Sequence, residues 1–276
     1  MGESRISTNG LTLNVMVEGE GPAVVLLHGF PDSWAMWRNQ IPALLEAGFR
    51  VVAPDLRGFG ESDRPASVEE YSIFNSIADV CGIMDVLGIE RAPVVGHDYG
   101  AGIAWMMATA EAARVEKLVV VSVGHPGAIT RPSLPQMRRS WYSLFFQFEG
   151  IAESLLERDD YQLLRDWCGA SPDVERQVAG MRRPGALTAG LSWYRANMRP
   201  EIWGADIPFP PVAAPVLATW GTEDPYLGEE QVTGSVAYCA GTWRYERFEG
   251  AGHWIPLDEP ERFNALLIEY LRETTA

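Results

Sequence analysis

The sequence is poor in the residues that make covalent or metal cross-links. Its 276 residues include three cysteines, Cys81, Cys168 and Cys239, and four histidines. An odd number of widely spaced cysteines does not form a disulfide framework, so we expect reduced thiols and a cytosolic protein. The histidines are scattered singly rather than clustered with cysteines or carboxylates, so no metal site is implied.

Positive charge and long apolar runs are also scarce. The chain has 22 Lys and Arg against 37 Asp and Glu, a net charge of −15 at pH 7. No basic stripe is present to neutralise phosphates or to attract an anionic membrane. No 18 apolar residues follow one another, and the first 16 residues lack a basic stretch before an apolar one. We therefore expect no nucleic-acid partner, no membrane span and no export signal, and an acidic surface that serves solubility.

Short apolar runs alternate with amphipathic stretches through the first half of the chain. Residues 4–18 alternate apolar and polar side chains around Asn9-Gly10, which is typical of a β-hairpin. The stretches 37–47 and 73–87 carry apolar residues at helical spacing. Almost unbroken apolar runs, typical of strands covered on both faces, occur at residues 23–27, 51–53, 93–95 and 118–121. The alternation predicts an α/β protein with a mostly parallel sheet flanked by helices.

This pattern changes between residues 128 and 211. The segment is rich in aromatic residues, has helical but no strand patterns, and ends in a proline cluster at residues 207–211. Strand patterns then return at 215–220 and 244–248, before a final helix predicted over 260–271 with Pro260 in its first turn. We expect one core domain built from residues 1–127 and 212–276, with residues 128–211 inserted as a helical cap.

The run Gly96-His97-Asp98-Tyr99-Gly100 joins a predicted strand to a predicted helix. Glycines two residues before and after a reactive side chain permit the tight turn known as a nucleophile elbow. The side chain at its centre is usually serine, and here it is Asp98. The alternative is that Asp98 only caps the following helix, a role that aspartate fills well. Both interpretations fit this motif taken alone.

A second loop follows the first buried strand, at His28-Gly29-Phe30-Pro31. An enzyme with a nucleophile elbow places here the loop that supplies an oxyanion-hole N–H. We predict that the backbone N–H groups of Phe30 and Tyr99 are the two donors. His28 is expected to orient the loop by hydrogen bonding rather than to take part in catalysis, and a cis bond before Pro31 is plausible.

Two further loops follow the last two predicted strands, and they carry candidates for the acid and the base of a catalytic triad. Glu223 and Asp224 come after one strand, and His253 comes after the next. Because parallel strands point their carboxyl ends the same way, these loops should open beside Asp98. The chain order Asp98, Asp224, His253 is that of nucleophile, acid and base. Glu223 competes with Asp224, which we favour because its position before a proline restricts the backbone.

The chain resembles the epoxide hydrolase branch of the α/β-hydrolase superfamily over nearly its full length. The motifs that carry the resemblance are residues 28–34, 55–62, 96–100 and 252–254. The resemblance implies hydrolysis of a small apolar epoxide by water through an ester of Asp98, with no cofactor. A monomer and a homodimer both remain open. It also implies two ring-opening tyrosines in the cap, Tyr142 and Tyr194, although both could simply fill an aromatic cap core. The residues expected to line the pocket are Trp34, Trp141, Phe145, Trp193 and Trp254.

One departure from the family pattern keeps other functions open. Related enzymes usually carry Trp after the nucleophile, where this chain has Tyr99. Haloalkane dehalogenases share the aspartate elbow but typically use that Trp to bind halide, and fluoroacetate dehalogenases place arginines beside the nucleophile. Dehalogenation is therefore the second hypothesis. A non-catalytic ligand-binding protein on the same fold is the third, since fold does not dictate function.

Overall fold

One eight-stranded sheet runs through the residues that the structure describes. The structure is a computed structural model, and it describes residues 2–202, 204–205 and 207–273. The strands are β1 (Glu3–Thr8), β2 (Leu11–Glu18), β3 (Ala23–Leu27), β4 (Arg50–Pro54), β5 (Ala92–His97), β6 (Val115–Val121), β7 (Val216–Gly221) and β8 (Trp243–Phe248). Their order in the sheet is β1-β2-β4-β3-β5-β6-β7-β8. Strand β2 runs antiparallel to β1 and β4, and the other neighbouring pairs are parallel, which confirms the mostly parallel sheet.

The sheet begins with the hairpin predicted from Asn9-Gly10. Asn9 and Gly10 have φ angles of 46° and 76°, and Thr8 pairs with Leu11 across the turn. A two-residue turn that follows the twist of its hairpin strands needs positive φ at both central residues. Asn and Gly adopt positive φ at low cost. The hairpin prediction is therefore confirmed.

Helices cover the sheet and build the region that follows β6. In the described residues they are α1 (Gln40–Glu46), α2 (Ile73–Val86), α3 (Tyr99–Ala110), α4 (Pro126–Ile129), α5 (Leu134–Arg139), α6 (Trp141–Phe145), α7 (Ile151–Cys168), α8 (Val174–Met181), α9 (Ala186–Asn197), α10 (Glu229–Thr233), α11 (Ile255–Asp258) and α12 (Pro260–Arg272). Every residue of β5 and β7 is buried, so both faces of the sheet are covered at its centre. Helix α12 begins at Pro260, as the sequence predicts.

The helix expected over residues 37–47 differs from the prediction at its start. A 3₁₀ helix spans Trp34–Asn39, with the Ser33 hydroxyl accepting a hydrogen bond from the N–H of Ala35, and α1 begins only at Gln40. Pro42 has no N–H and is tolerated in the first turn of an α-helix, where no intrahelical partner is needed. The proline therefore favours a new helix start at Gln40 over a continuous helix from Trp37.

The order of the strands creates a crevice between β3 and β5. After β3 the chain forms β4 on one side, and it later returns to form β5 on the other side of β3. Loops at the carboxyl ends of two such strands diverge and leave room for a ligand. The loop after β3 carries Phe30, and the turn after β5 carries Asp98, so the fold itself places the two motifs at this switch point.

The region between residues 128 and 211 is helical in its described part, with no strand among residues 128–202, 204–205 and 207–211. Residues 203 and 206 lie outside the described residues. Helix α7 is interrupted at residues 158–161. A buried ion pair joins its first half to α9, with 2.7 Å between Arg195 Nη1 and Glu153 Oε1. The predicted cap boundaries stay predictions, and the first of them falls inside α4.

The described part of the chain can be searched for disulfides, metal-binding clusters and membrane-spanning helices. Cys81, Cys168 and Cys239 are free thiols. Within the described ranges, no cluster of three His, Cys, Asp or Glu side chains could hold a metal ion. No described helix is both long and apolar enough to cross a bilayer. The cytosolic location stays a prediction.

The tight contact between the β5–α3 turn and β3 generates a stability prediction. A Cβ on Gly100 would overlap the backbone carbonyl of Leu27, whereas a Cβ on Gly102, two residues further along α3, would meet only Ile73 Cδ1 at 3.9 Å. We expect Gly100→Ala to lower the free energy of unfolding by about 3 kcal/mol, since backbone atoms must move. Gly102→Ala, the matched control, should be neutral or stabilising by up to about 1 kcal/mol because alanine favours a helix. Urea unfolding measures both, and equal losses would contradict the prediction.

Candidate active site

Asp98 occupies the turn between β5 and α3 in a conformation that side chains rarely adopt. Its φ and ψ are 50° and −118°. Such a backbone is costly for a residue with a Cβ and persists only where its surroundings enforce it. The Asp98 side chain makes no capping hydrogen bond to α3. It instead accepts one from the N–H of Phe30, with 2.9 Å between Phe30 N and Asp98 Oδ1. This geometry does not fit a residue that only caps the helix.

The structure brings Asp98, Asp224 and His253 together from three different strand ends. His253 Nδ1 lies 2.8 Å from Asp224 Oδ2, and His253 Nε2 lies 3.5 Å from Asp98 Oδ2. The other Asp224 oxygen accepts hydrogen bonds from the backbone N–H groups of Tyr226 and Leu227. Glu223, the competing candidate, is exposed. The carboxylate that holds the imidazole is therefore that of Asp224.

Two residues at the ends of β5 and β6 fix the backbone of His253. The Ser122 hydroxyl donates to the carbonyl oxygen of His253 over 2.8 Å, and His97 Nε2 lies 3.0 Å from the same oxygen. Burial, together with the nearby positive charge of His253, lowers the pKa of His97 to about 3. His97 is therefore neutral and donates from Nε2. Neither support was predicted, because the sequence does not show which residues meet the His253 loop.

The charges of neighbouring side chains shift the pKa values of His253 and Asp98. Burial disfavours the His253 imidazolium, but the charges of Asp224 and Asp98 and their hydrogen bonds outweigh burial and raise the pKa of His253 to about 10. Burial also opposes ionisation of Asp98, yet the hydrogen bond and charge of His253 lower the pKa of Asp98. At neutral pH the site therefore holds an ionised Asp98 beside a protonated His253.

The loop after β3 and the start of α3 carry the two backbone N–H groups predicted to form an oxyanion hole. The Phe30-Pro31 peptide bond is cis. Tyr99 is the first residue of α3, so its N–H has no partner within the helix. His28 braces the loop, because its Nε2 accepts from the N–H of Leu56 at 3.0 Å and its Nδ1 lies 2.8 Å from the Gly29 carbonyl oxygen. His28 thus has the loop-orienting contacts expected for it.

Tyr142 in α6 and Tyr194 in α9 lie side by side near Asp98. Both are buried, and their ring centroids are 5.9 Å apart. Tyr194 also packs against Tyr99, with 4.9 Å between centroids. Burial, followed by the negative charge of Asp98, raises the pKa of each phenol well above its usual value. Neither phenol has a hydrogen-bond partner in the described part of the chain, so both are protonated donors available to a bound molecule.

The five residues expected to line the pocket occupy different environments. Trp193 and Trp254 are buried, with centroids 4.7 Å from Tyr99 and 5.0 Å from His253, respectively. Trp34 and Phe145 are half-buried. No ring contact in the described ranges joins either of these two to the triad. Trp141 is 51% exposed. The assignment of Trp141 to the pocket is wrong, because one helical step of about 100° turns it outward when Tyr142 points inward.

Tyr226 is a site residue that the sequence analysis did not single out. Its ring centroid is 5.1 Å from that of His253 and 5.8 Å from that of Tyr142. Its hydroxyl donates to the carbonyl oxygen of Trp167. Tyr226 therefore forms an aromatic wall between the imidazole and the cap, with its phenol already occupied. Its position two residues after Asp224 was the only signal in the sequence.

Asp32 links the site to the cap and was also missed. Its two carboxylate oxygens accept hydrogen bonds from Trp254 Nε1 and from Gln177 Nε2 in α8, both over 2.9 Å. Burial raises the pKa of Asp32 from 3.8 to about 6 despite these two hydrogen bonds. One carboxylate thus holds together the β3 loop, the residue after His253 and a cap helix.

Comparisons with known proteins agree with this geometry. Residues 22–260 match the model of the α/β-hydrolase fold family, so the chain belongs to that family. It is 36% identical over 280 residues to an AB hydrolase superfamily protein of Bacillus subtilis, covering 97% of this chain and 96% of the relative. It is 34% identical over 314 residues to epoxide hydrolase A of Mycobacterium tuberculosis, covering 98% and 97%. The solved structure of epoxide hydrolase A from Mycobacterium thermoresistibile superposes with a TM-score of 0.85 at 32% identity, covering 98% of both chains. Within the family, the chain belongs to the epoxide hydrolase branch.

The raised pKa of Asp32 predicts a pH dependence of stability. Because the folded pKa of about 6 exceeds the ordinary 3.8, the folded protein bears the full cost of the buried charge above pH 6 and loses that cost as pH falls. Relative to Asp32→Asn, the wild type should therefore gain about 1 kcal/mol of unfolding free energy between pH 8 and pH 5. Urea unfolding at both pH values measures the difference. Glu223→Gln controls for loss of one negative charge at an exposed position, and a gain of equal size there would contradict the assignment to Asp32.

Proposed function

We propose that this enzyme opens an epoxide to a vicinal diol through a covalent ester of Asp98. The observation that carries the proposal is the pairing of an ionised carboxylate with two phenols, those of Tyr142 and Tyr194, that have no protein partner in the described chain. A carboxylate attacks sp³ carbon without prior deprotonation. The epoxide oxygen is a poor leaving group and needs hydrogen-bond donors and finally a proton, which phenols supply.

In the first step one Asp98 oxygen forms a bond to a ring carbon while the ring carbon–oxygen bond breaks. Oδ1 is held by the Phe30 N–H, so we assign Oδ1 as the future ester carbonyl oxygen and Oδ2 as the attacking atom. The developing alkoxide accepts hydrogen bonds from Tyr142 and Tyr194. One of these phenols gives its proton to the alkoxide and is reprotonated from solvent, while the His253 imidazolium releases its proton to solvent, so the proton count is unchanged. The step thus converts a carboxylate and an imidazolium into a neutral ester and a neutral imidazole.

This balance explains how a histidine with a raised pKa can serve as a base. Esterification removes the charge of Asp98, one of the two carboxylates that raise the pKa of His253. The imidazole is therefore a base only in the intermediate, where a base is needed. It takes a proton from water, the resulting hydroxide attacks the ester carbonyl, and the N–H groups of Phe30 and Tyr99 hold the oxyanion. Release of the diol restores the Asp98 carboxylate and the His253 imidazolium.

The walls around Asp98 favour an aryl-substituted or otherwise apolar epoxide. Phe30, Tyr99, Tyr142 and Tyr194 surround the nucleophile with aromatic rings. Dehalogenation is the second candidate, because it uses the same aspartate and ester. It requires a donor for halide, yet the side-chain donor at position 99 is a buried hydroxyl rather than an indole N–H. This observation favours the epoxide.

Replacement of the base should trap the intermediate. In His253→Gln, Asp98 can still be alkylated, but no group remains to activate water. Mass spectrometry of the intact protein, after exposure to a styrene-type epoxide, should show the added mass of one epoxide. Asp98→Ala is the control that should stay unmodified.

Each outcome of the trapping experiment has a distinct meaning. An adduct that forms with a bromoalkane and not with the epoxide would establish the dehalogenase hypothesis instead. A folded His253→Gln protein that remains unmodified by both reagents would overturn the covalent mechanism.

Removal of either ring-opening phenol should slow the first step. Tyr142→Phe and Tyr194→Phe each leave the ring oxygen with one donor, so we expect alkylation to fall on the order of 10²–10³-fold in each, and further in the double variant. Stopped-flow fluorescence measures this step. Tyr270→Phe, which removes a buried phenol in α12 outside the site, is the matched control. Wild-type alkylation by Tyr142→Phe would remove Tyr142 from this role.

A further inference from the structure

Helix α5 of the cap is hydrogen-bonded to the loop that carries Asp224. This loop, residues 224–228, lies between β7 and α10 and contains neither helix nor strand. We call it the acid loop. Side chains of α5 pair three of its backbone polar groups, which belong to Asp224, Tyr226 and Gly228. A buried loop needs partners for its backbone groups, and here a cap helix supplies several of them.

Gln136 makes two of these three contacts. Its Nε2 donates to the carbonyl oxygen of Tyr226 over 2.9 Å, and its Oε1 accepts from the N–H of Gly228 over 2.7 Å. A carbonyl can only accept and an N–H can only donate, so the two partners fix the orientation of the amide. Gln136 is buried. We call this pair of hydrogen bonds the Gln136 clamp.

Arg139 makes the third contact. It lies three residues after Gln136, on the same side of α5, and its Nη1 donates to the carbonyl oxygen of Asp224. The Arg139 side chain is exposed, so solvent screens its charge. The buried clamp is therefore the main support that α5 gives to the acid loop, and Arg139 assists it.

The backbone held by the clamp also sets the direction of the Asp224 carboxylate. Asp224 Oδ1 accepts from the N–H of Tyr226 over 2.8 Å and from the N–H of Leu227 over 3.0 Å. Its other oxygen, Oδ2, lies 2.8 Å from His253 Nδ1. A displacement of the loop at Tyr226 or Gly228 would therefore move the carboxylate relative to the imidazole.

We propose that Gln136, assisted by Arg139, is a positioning residue that holds Asp224 against His253 and thereby sets the rate of ester hydrolysis. The inference rests on the proposed function, in which alkylation needs Asp98 and two phenols, whereas hydrolysis needs an oriented imidazole. Because Gln136 acts through Asp224, the second step should depend on it and the first step should not.

The charges around His253 make its titration a readout of the clamp. The titratable groups that face the imidazole are Asp98, Asp224, Asp258, His97 and Tyr226. Burial lowers the pKa of His253, and the charge and hydrogen bond of Asp224 are the largest of the effects that raise it to about 10. A carboxylate that moves away should therefore leave the imidazolium less stable and its pKa lower.

The first test measures the pKa of His253 by NMR of histidine-labelled protein, with its signal identified by loss in His253→Gln. Gln136→Met keeps the length of the side chain but removes both bonds to the acid loop. It should lower the pKa of His253 by about 1, part of the roughly 1–3 by which an adjacent opposite charge shifts a pKa. Gln40→Met removes another buried amide, is the matched control, and should leave that pKa unchanged.

Two neighbouring arginines provide a second matched pair. Arg139→Met should lower the pKa of His253 by less than Gln136→Met does, because the exposed contact is screened. Arg138→Met removes the same charge from another exposed position on α5 and should leave the pKa unchanged. Within the described chain, Arg139 contacts the acid loop and Arg138 does not.

The second test separates the two chemical steps by rapid mixing with a styrene-type epoxide. In Gln136→Met, alkylation of Asp98 should keep its wild-type rate. Hydrolysis of the ester should slow on the order of 10–100-fold, because a displaced imidazole activates water poorly. A variant that was only misfolded would lose both steps together.

One further bond of Gln136 requires its own control. Gln136 Nε2 also donates to Ser140 Oγ over 2.6 Å, directly before the helix that carries Tyr142. Ser140→Ala removes this bond and leaves the clamp intact. Its rate of ester hydrolysis should therefore equal that of the wild type, which separates the clamp from any effect on Tyr142.

A final comparison shows whether Gln136 acts through Asp224. In an Asp224→Asn background, Gln136→Met should lower the pKa of His253 no further, because the clamp then has no carboxylate to position. A wild-type pKa in Gln136→Met, an equal fall in Gln40→Met, or a further fall in the Asp224→Asn background would overturn the proposal. If no variant is alkylated by the epoxide, the proposed function fails, while the pKa of His253 still tests the clamp.

Discussion

The close approach of the β5–α3 turn to the end of β3 is the constraint on which the site depends. No Cβ fits at Gly100, because the carbonyl of Leu27 occupies that space. The approach holds Asp98 in its rare backbone conformation and brings its carboxylate to the Phe30 N–H. Under the proposed mechanism, the backbone alone thereby fixes the nucleophile and an oxyanion donor to one another. Such preorganisation costs stability at the turn but avoids reorganisation during the reaction.

Charge interactions connect Asp98 with the loops that follow β7 and β8. Half-buried Asp98 and buried His253 and Asp224 share one net negative charge, with the imidazolium between two carboxylates. Neutral His97 can donate to the His253 carbonyl without adding a second positive charge. The same arrangement that stabilises the imidazolium in the free enzyme weakens when Asp98 becomes an ester. Under the proposed mechanism, the charge state of the nucleophile therefore controls when His253 can act as a base.

The sheet, the hairpin and the elbow could be predicted from sequence patterns. The meeting of Asp98, Asp224 and His253 could be predicted because each lies in the loop that follows the carboxyl end of a strand. Parallel strands present their carboxyl-end loops together, whatever the helices do. The cap offered no such reference. The rotation of a cap helix about its axis decides which of two neighbouring side chains faces the site. The sequence does not show this rotation, so Trp141 was predicted to line the pocket although it faces outward. Contacts between distant loops, as for Asp32 with Gln177 and Trp254, depend on packing that periodicity does not encode.

One helical phase in the cap determines both of its surfaces. Turning the segment inward at Tyr142 places a phenol near Asp98, and the same turn places Trp141 and Leu144 outward. A rotation that improved one face would displace the other.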